Sequence, residues 1–274
     1  NKIANSAATT LSKLFLGLIK SVNHGLVLGD LVGRIISAVG CIYKAFKNDA
    51  AIFAKISYYK MRYLAKRYIE FPKYTLPAQV LNTIGGSVPV LFIGAYFNSV
   101  EVGFFSMTIN VLSVPLSVIS RAILDTFRQR ANEEYIRLGN CTAIYKKLFK
   151  ILALMSGAGS LFLVFALPEL FSFVLGDQWR ISGKYSPILL PMIGINFIYL
   201  PLSSVLIITE KMKIDFYWQF YYAGITFVSL ILGCIIFKDI VSCLICYSLG
   251  MSSAYLLHIF LSYKYSKGRH INEH

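Results

Sequence analysis

Lys13, Asp30 and Arg34 stand inside strongly apolar stretches, and so do Gln79, Asn82, Asn110 and Ser113, with Arg121 just beyond. A charge or an amide is costly to leave in hydrocarbon, so side chains in such places hold an ion, water or the polar head of a ligand. Ser106, Asn110, Ser113, Ser117 and Ser120 follow at spacings of 4, 3, 4 and 3, which puts all five on one helical face, and Arg121 closes the row. Gln79, Asn82 and Gly86 form a shorter stripe of the same kind. For the serines two readings stay open, helix-to-helix packing or the wall of a cavity. The amides need more partners than packing supplies, and a hydrated cavity is expected around them.

The charges carry a similar choice. Lys13 and Lys20 are seven residues apart on one face, and Asp30 and Arg34 are four apart. At the centre of a membrane each would cost about 2.5 to 3.5 kcal/mol, so each faces the protein interior or reaches back to the interface. Lys20, near the end of its stretch, can do the latter. Asp30 and Arg34 can form an internal ion pair, which still leaves guanidinium donors free. Lys13 and Arg34 together suit an anion such as a pyrophosphate.

Nothing in the chain composes a catalytic set. The histidines are His24, His258, His270 and His274, and no exterior loop is large enough for a hydrolase or polymerase site. Cys41, Cys141, Cys234, Cys243 and Cys246 fall in or near expected helices, which is no disulfide framework. Cys243 and Cys246 make a CxxC inside an apolar run without histidine or carboxylate neighbours, and read as small packing residues rather than metal or redox ligands. The expectation is therefore a protein that is not an enzyme, with no catalytic residue, no metal site and no cofactor.

The elements that position these residues follow from the distribution of apolar side chains. Of 274 residues 56 % are hydrophobic and 15 % charged, more apolar surface than one water-soluble core can cover. The apolar residues come in runs of about 20, the length that crosses about 30 Å of hydrocarbon. Eight spans are read, at 4–22, 25–46, 76–98, 102–124, 148–172, 186–208, 215–237 and 241–263, giving an all-α polytopic transmembrane bundle. The net charge of +14 could indicate nucleic acid, but the basic residues lie between the runs and no nucleic-acid partner is expected. One set of connections holds Lys2, Lys44 to Lys73, Arg121 to Lys150, Lys211, Lys213, Lys264, Lys267 and Arg269, the other Arg180, Lys184 and Lys238. The basic set, with both chain ends, is expected on the cytoplasmic side.

Asn98, Ser99 and Glu101 read as a tight exterior turn, and Trp179 as an interfacial aromatic. In residues 47–75, Ile52, Phe53, Ile56, Tyr59 and Tyr63 interleave with Lys55, Lys60, Arg62, Lys66 and Arg67. This is either a basic interfacial helix lying on anionic membrane lipids or an ordinary loop that fixes topology. Pro72 and Pro77 are expected to end that segment. Pro115, Pro168, Pro187, Pro191 and Pro201 stand in or beside spans, as kinks of a moving bundle or of a static one.

Phe71-Pro72, Leu76-Pro77, Leu81-Asn82, Val102 to Ser106, Val114-Pro115-Leu116 and Phe127 fall in an order that resembles the polysaccharide and O-antigen flippases of the multidrug/oligosaccharidyl-lipid/polysaccharide exporter superfamily. Leu175 to Trp179, with Gly183, Tyr185 and Pro191, is similar to the exterior link between that family's ninth and tenth helices, and Glu210-Lys211 to the turn after the tenth. The resemblance implies part of a two-lobed, MATE-like fold: residues 1–48 the last hairpin of an N-terminal lobe, 49–75 the basic lobe linker, 76–263 a six-helix C-terminal lobe and 264–274 a tail. Helices five to twelve would then be present, with the protein's own N-terminus upstream. It also implies alternating access for an undecaprenyl-type lipid-linked oligosaccharide in a bacterial cytoplasmic membrane, beside other polysaccharide assembly proteins. An ion-coupled extruder of organic cations would share the architecture, but should carry more acids than bases within its spans. A membrane polymerase or acyltransferase would need the loop or the His/Asp/Arg cluster missing above.

Overall fold

The computed structural model describes residues 57–268 and, ahead of them, Gly33, Ile35 and residues 38–40. The expected spans 4–22 and 25–46 otherwise lie outside the described residues, and so do Lys13, Lys20, Asp30, Arg34, Ile52, Phe53 and Ile56. The chain divides into two compact units, residues 1–68 and 69–274. In the first, helix α1 (Tyr58–Arg67) carries Lys60, Arg62, Lys66 and Arg67 among Tyr58, Tyr59 and Tyr63, with no buried residue.

The second unit contains α2 (Glu70–Tyr96), α3 (Ser99–Leu138), α4 (Thr142–Leu175), a 3-10 turn (Asp177–Trp179), α5 (Arg180–Leu202), the short α6 (Ser204–Ile208), α7 (Met212–Leu230), a π-helical continuation (Ile231–Phe237) and α8 (Ile240–Ser266). No strand occurs among the described residues. Six segments are long and apolar enough to cross a membrane: Pro72–Tyr96, Ser99–Leu138, Thr142–Leu167, Asp177–Ile208, Met212–Phe237 and Ile240–Ser266. They fall on the last six expected spans.

Local chemistry sets the ends. The Asn98 side chain accepts the Glu101 backbone N–H at 2.8 Å and starts α3, and Asp239 accepts from Ser242 in the same way at 2.9 Å to start α8. Gly139, at φ +72°, supplies the left-handed residue that stops α3. Pro72 and Pro77 do not end the preceding segment as expected, because α2 starts at Glu70 ahead of both. Pro72 falls in the first turn, where a helix leaves its N–H groups unpaired anyway, and Pro77 and Pro89 are carried inside. α3 also runs beyond the expected boundary at 124. Its 40 residues reach about 60 Å, about twice the hydrocarbon thickness, and the surplus is a charged stretch through Arg128, Arg130, Glu133, Glu134 and Arg137.

α5 is the centre of the unit, with α3, α4 and α8 packed along it, while α2 lies on α7 and α7 on α8. Leu189, Leu190, Ile193, Phe197 and Leu202 of α5 are all buried. Small residues let backbones approach: a methyl on Gly194 would meet Ser156 Oγ at 2.7 Å, and one on Gly85 would meet the Tyr222 ring at 2.6 Å. Leu154, Leu161, Phe162 and Phe165 of α4 point outward, as a lipid-facing surface requires.

Cross-contacts fix the directions. Thr108 Oγ1 donates to the Ser182 carbonyl at 3.0 Å and Ser120 Oγ to the Phe197 carbonyl at 3.4 Å, so α3 runs parallel to α5. Tyr74 meets Phe216 and Phe92 meets Phe227, so α2 runs parallel to α7. The Cys141 N–H donates to the Ser266 carbonyl at 2.9 Å, bringing the start of α4 to the end of α8. One end of the bundle thus gathers Lys73, Lys146, Lys211, Lys213, Lys264 and Lys267, set over the rings of Tyr74, Tyr263 and Tyr265. We refer to it as the basic end.

Candidate functional site

The centres of the polar stripes of α2 and α3 lie at membrane depth. Counted at 1.5 Å per residue from the Asn98 turn, Asn110 lies about 18 Å, Ser113 about 22 Å and Asn82 about 24 Å along their helices, within an apolar layer about 30 Å thick. Asn82 is half-buried, and its Nδ2 donates to Gln219 Oε1 of α7 at 3.3 Å. Gln79 is exposed. Thr83 Oγ1 donates to the Gln79 carbonyl at 2.9 Å and Ser87 Oγ to the Thr83 carbonyl at 3.0 Å, so these hydroxyls are satisfied within their own helix.

On α3 the row divides. Ser120 is buried and bonded to α5, so it packs helices. Ser106, Ser113 and Ser117 are half-buried, Asn110 and Arg121 are exposed, and Ser117 Oγ donates to the Val114 carbonyl at 2.8 Å. Among the described residues no hydrogen bond joins Gln79 or Asn82 to Asn110, Ser113 or Arg121. The structure therefore pairs Asn82 with Gln219 and leaves Asn110 as an outward-facing amide at the depth of the apolar layer, while the exposed Gln79, about 28 Å from the Asn98 turn, lies at its basic edge.

A second polar cluster escaped the sequence reading. His258 of α8 is 0 % exposed. Its Nε2 lies 3.2 Å from Asp215 Oδ1 of α7, and its Nδ1 lies 3.0 Å from Ser262 Oγ. The imidazole meets Tyr199 of α5 at 4.8 Å and Trp218 of α7 at 4.6 Å, both nearly perpendicular. Trp218 Nε1 donates to the Ala254 carbonyl at 2.8 Å, and Tyr199 stacks on Tyr255 at 5.0 Å, so the walls are themselves anchored. Asp215 and His258 are ionisable residues inside apolar runs, and that signal was legible. Their partnership across 43 positions was not.

At the opposite end Tyr185 donates to Glu101 Oε2 at 2.6 Å, tying α5 to α3. Cys234 and Cys243 bring their sulfurs to 2.8 Å between the π-helical segment and α8, and both are free thiols. Between spans, the backbone N–H of Ser242 holds the Asp239 carboxyl below its ordinary range, while burial, with Glu134 adding, pushes the Cys141 thiol up to about 11. Among the described residues no three His, Cys, Asp or Glu side chains come together to hold a metal.

Six membrane-length helices, with the Asn82–Gln219 amide pair and the Asp215–His258 pair between them, define a multi-pass helical membrane protein. Residues 1–183 match the family described as polysaccharide biosynthesis protein, more than half of the chain, and the protein belongs to that family. Comparison with curated proteins and with solved structures finds no match.

Proposed function

We propose that this protein is a flippase that carries a lipid-linked oligosaccharide across the bacterial cytoplasmic membrane by alternating access, and that it is a transporter rather than an enzyme. The supporting observation is the outward-facing amide of Asn110, flanked by half-buried Ser113 on α3, with the exposed Gln79 of α2 nearer the basic edge of the layer. An amide facing lipid at that depth would lose its hydrogen bonds to water, whereas one facing a hydrated passage keeps them. A sugar headgroup offers hydroxyls to the same amides, and its prenyl tail can stay in the bilayer alongside. Family membership agrees with a substrate on the route to a surface polysaccharide.

In this reading Lys13 and Arg34 supply positive charge for the pyrophosphate of the carrier, and Arg121 lies near the basic, cytoplasmic face. The multidrug alternative is disfavoured by the same inventory, since Asp30 is outnumbered by Lys13, Lys20 and Arg34. The test uses full-length protein in cells, measuring surface polysaccharide at matched membrane abundance. Lys13→Gln with Arg34→Gln should lower export several-fold without lowering the amount of folded protein. Normal export by that double variant would contradict the charged part of the passage.

A further inference from the structure

We propose that Asp215 and His258 form a proton-binding site at the basic end, whose loading turns a hydrogen bond from the neutral imidazole of α8 to the carboxylate of α7 into an ion pair. Every polar atom of the imidazole has a partner in both protonation states. When His258 is neutral, Nε2–H donates to Asp215 across 3.2 Å and Nδ1 accepts from the Ser262 hydroxyl at 3.0 Å. When it is protonated, Nδ1–H donates to the same oxygen, and the serine proton turns away toward its own helix backbone one turn back, an acceptor a helical serine reaches readily. Neither state leaves a buried group unpaired, which is the condition for a site that loads and unloads.

The surroundings fit a proton rather than a larger ion. Two ligating groups face each other, and no third joins them among the described residues. His258 is wholly enclosed, while the Asp215 side chain is 32 % exposed and gives the proton a way in. The titratable and charged groups around the pair are Tyr199 of α5 against the imidazole, Tyr255 of α8 stacked on Tyr199, Tyr222 of α7 beside Trp218, and, next to Asp215 in sequence, Lys211 and Lys213. On the flanking helices, Tyr74 of α2 lies under Lys213, and Tyr145 of α4 donates to the Ile259 carbonyl at 2.7 Å. The α6 helix brings no titratable side chain. The site is independent of the flippase reading; that reading matters only to what the loaded site would do to export.

The test uses an optical reporter already in place. The chain has two tryptophans, Trp179 and Trp218. With Trp179→Phe, the emission of the whole chain in detergent micelles comes from Trp218, whose ring contacts the imidazole at 4.6 Å. Protonated imidazole accepts an electron from an excited indole far better than neutral imidazole does, so loading the site quenches the emission. The expected result is a quench as the pH falls from about 9 to about 5, absent in His258→Gln and displaced in Asp215→Asn, which keeps the shape and removes the carboxylate that Nε2 faces. If His258→Gln does not fold, Asp215→Asn and the parent carry the comparison alone. Flat emission across that range, or a quench unchanged by Asp215→Asn, would overturn the proposal. Neither outcome depends on whether any glycan is exported.

Discussion

Asn82 of α2 donates a 3.3 Å hydrogen bond to Gln219 of α7, an amide pair joining two helices that are separated in the chain by three other spans. Gln219 is 7 % exposed, so its oxygen is poorly placed to find water in place of Asn82. Asn82→Ala should destabilise the protein in detergent by about 1 to 2 kcal/mol, and Asn82→Leu with Gln219→Leu should recover part of the loss, because replacing both partners leaves nothing unpaired. Thermal unfolding of Asn82→Leu, Gln219→Leu and the double variant, beside Asn82→Ala, checks this. Strict additivity would show that the pair does not interact.

Close backbone approach makes a sharper contrast among glycines. A methyl group on Gly233 would run into the Cys243 backbone, whereas one on Gly86 meets nothing within 4 Å. Gly233→Ala should therefore force α8 away from the π-helical end of the preceding span and lower the unfolding temperature by several degrees. Gly86→Ala should be neutral or slightly stabilising, since alanine loses less entropy in a helix.

The same junction offers a chemical readout of the fold. With their sulfurs 2.8 Å apart, Cys234 and Cys243 should be joined by a small-molecule oxidant in preference to Cys141 and Cys246. Mass spectrometry of the digested protein should recover the 234–243 linkage. Preferential linkage of Cys243 to Cys246 would contradict the packing of the π-helical segment on α8.

At the same end of the bundle, pH enters through Asp239, whose carbonyl accepts the Cys243 N–H at 2.9 Å. Its carboxyl is held below its ordinary range by the Ser242 N–H, so its stabilising contribution is complete at neutral pH and is lost as the pH falls through the lowered value. Asp239→Asn keeps a capping oxygen and should flatten that acid dependence, while Asp239→Ala should cost about 1 kcal/mol at neutral pH. Unfolding temperatures followed from pH 7 downward, over about four units, distinguish the three proteins.

Span number and order in residues 69–268 were legible because hydropathy and length decide them, and the Asn98 turn because capping is local. Helix ends were less so. Arg128, Glu133, Glu134 and Arg137 lower hydropathy without lowering helix propensity, which hid the last 14 residues of α3. Proline positions misled at Pro72 and Pro77, since a first turn tolerates proline and a bundle can satisfy the carbonyl it frees. For the site, periodicity found the faces carrying Asn82, Asn110 and Ser113, yet not that Asn82 turns to Gln219 while Asn110 faces out. Long-range partners such as Asp215 with His258, or Cys234 with Cys243, have no local signature at all.

The central claim is that the amide face of α2 and α3 borders the path of a lipid-linked glycan. Its most direct test is translocation by full-length protein reconstituted in vesicles, with the glycan of a lipid-linked oligosaccharide loaded in the inner leaflet and its arrival outside detected with a lectin. Vesicles with protein should expose glycan several-fold faster than protein-free vesicles, and Asn110→Leu with Ser113→Leu should reduce the difference several-fold at equal protein, whereas Val118→Leu, an exposed apolar position on the same helix, should not. Translocation no faster than in protein-free vesicles, or undiminished by the Asn110 and Ser113 changes, would contradict the account.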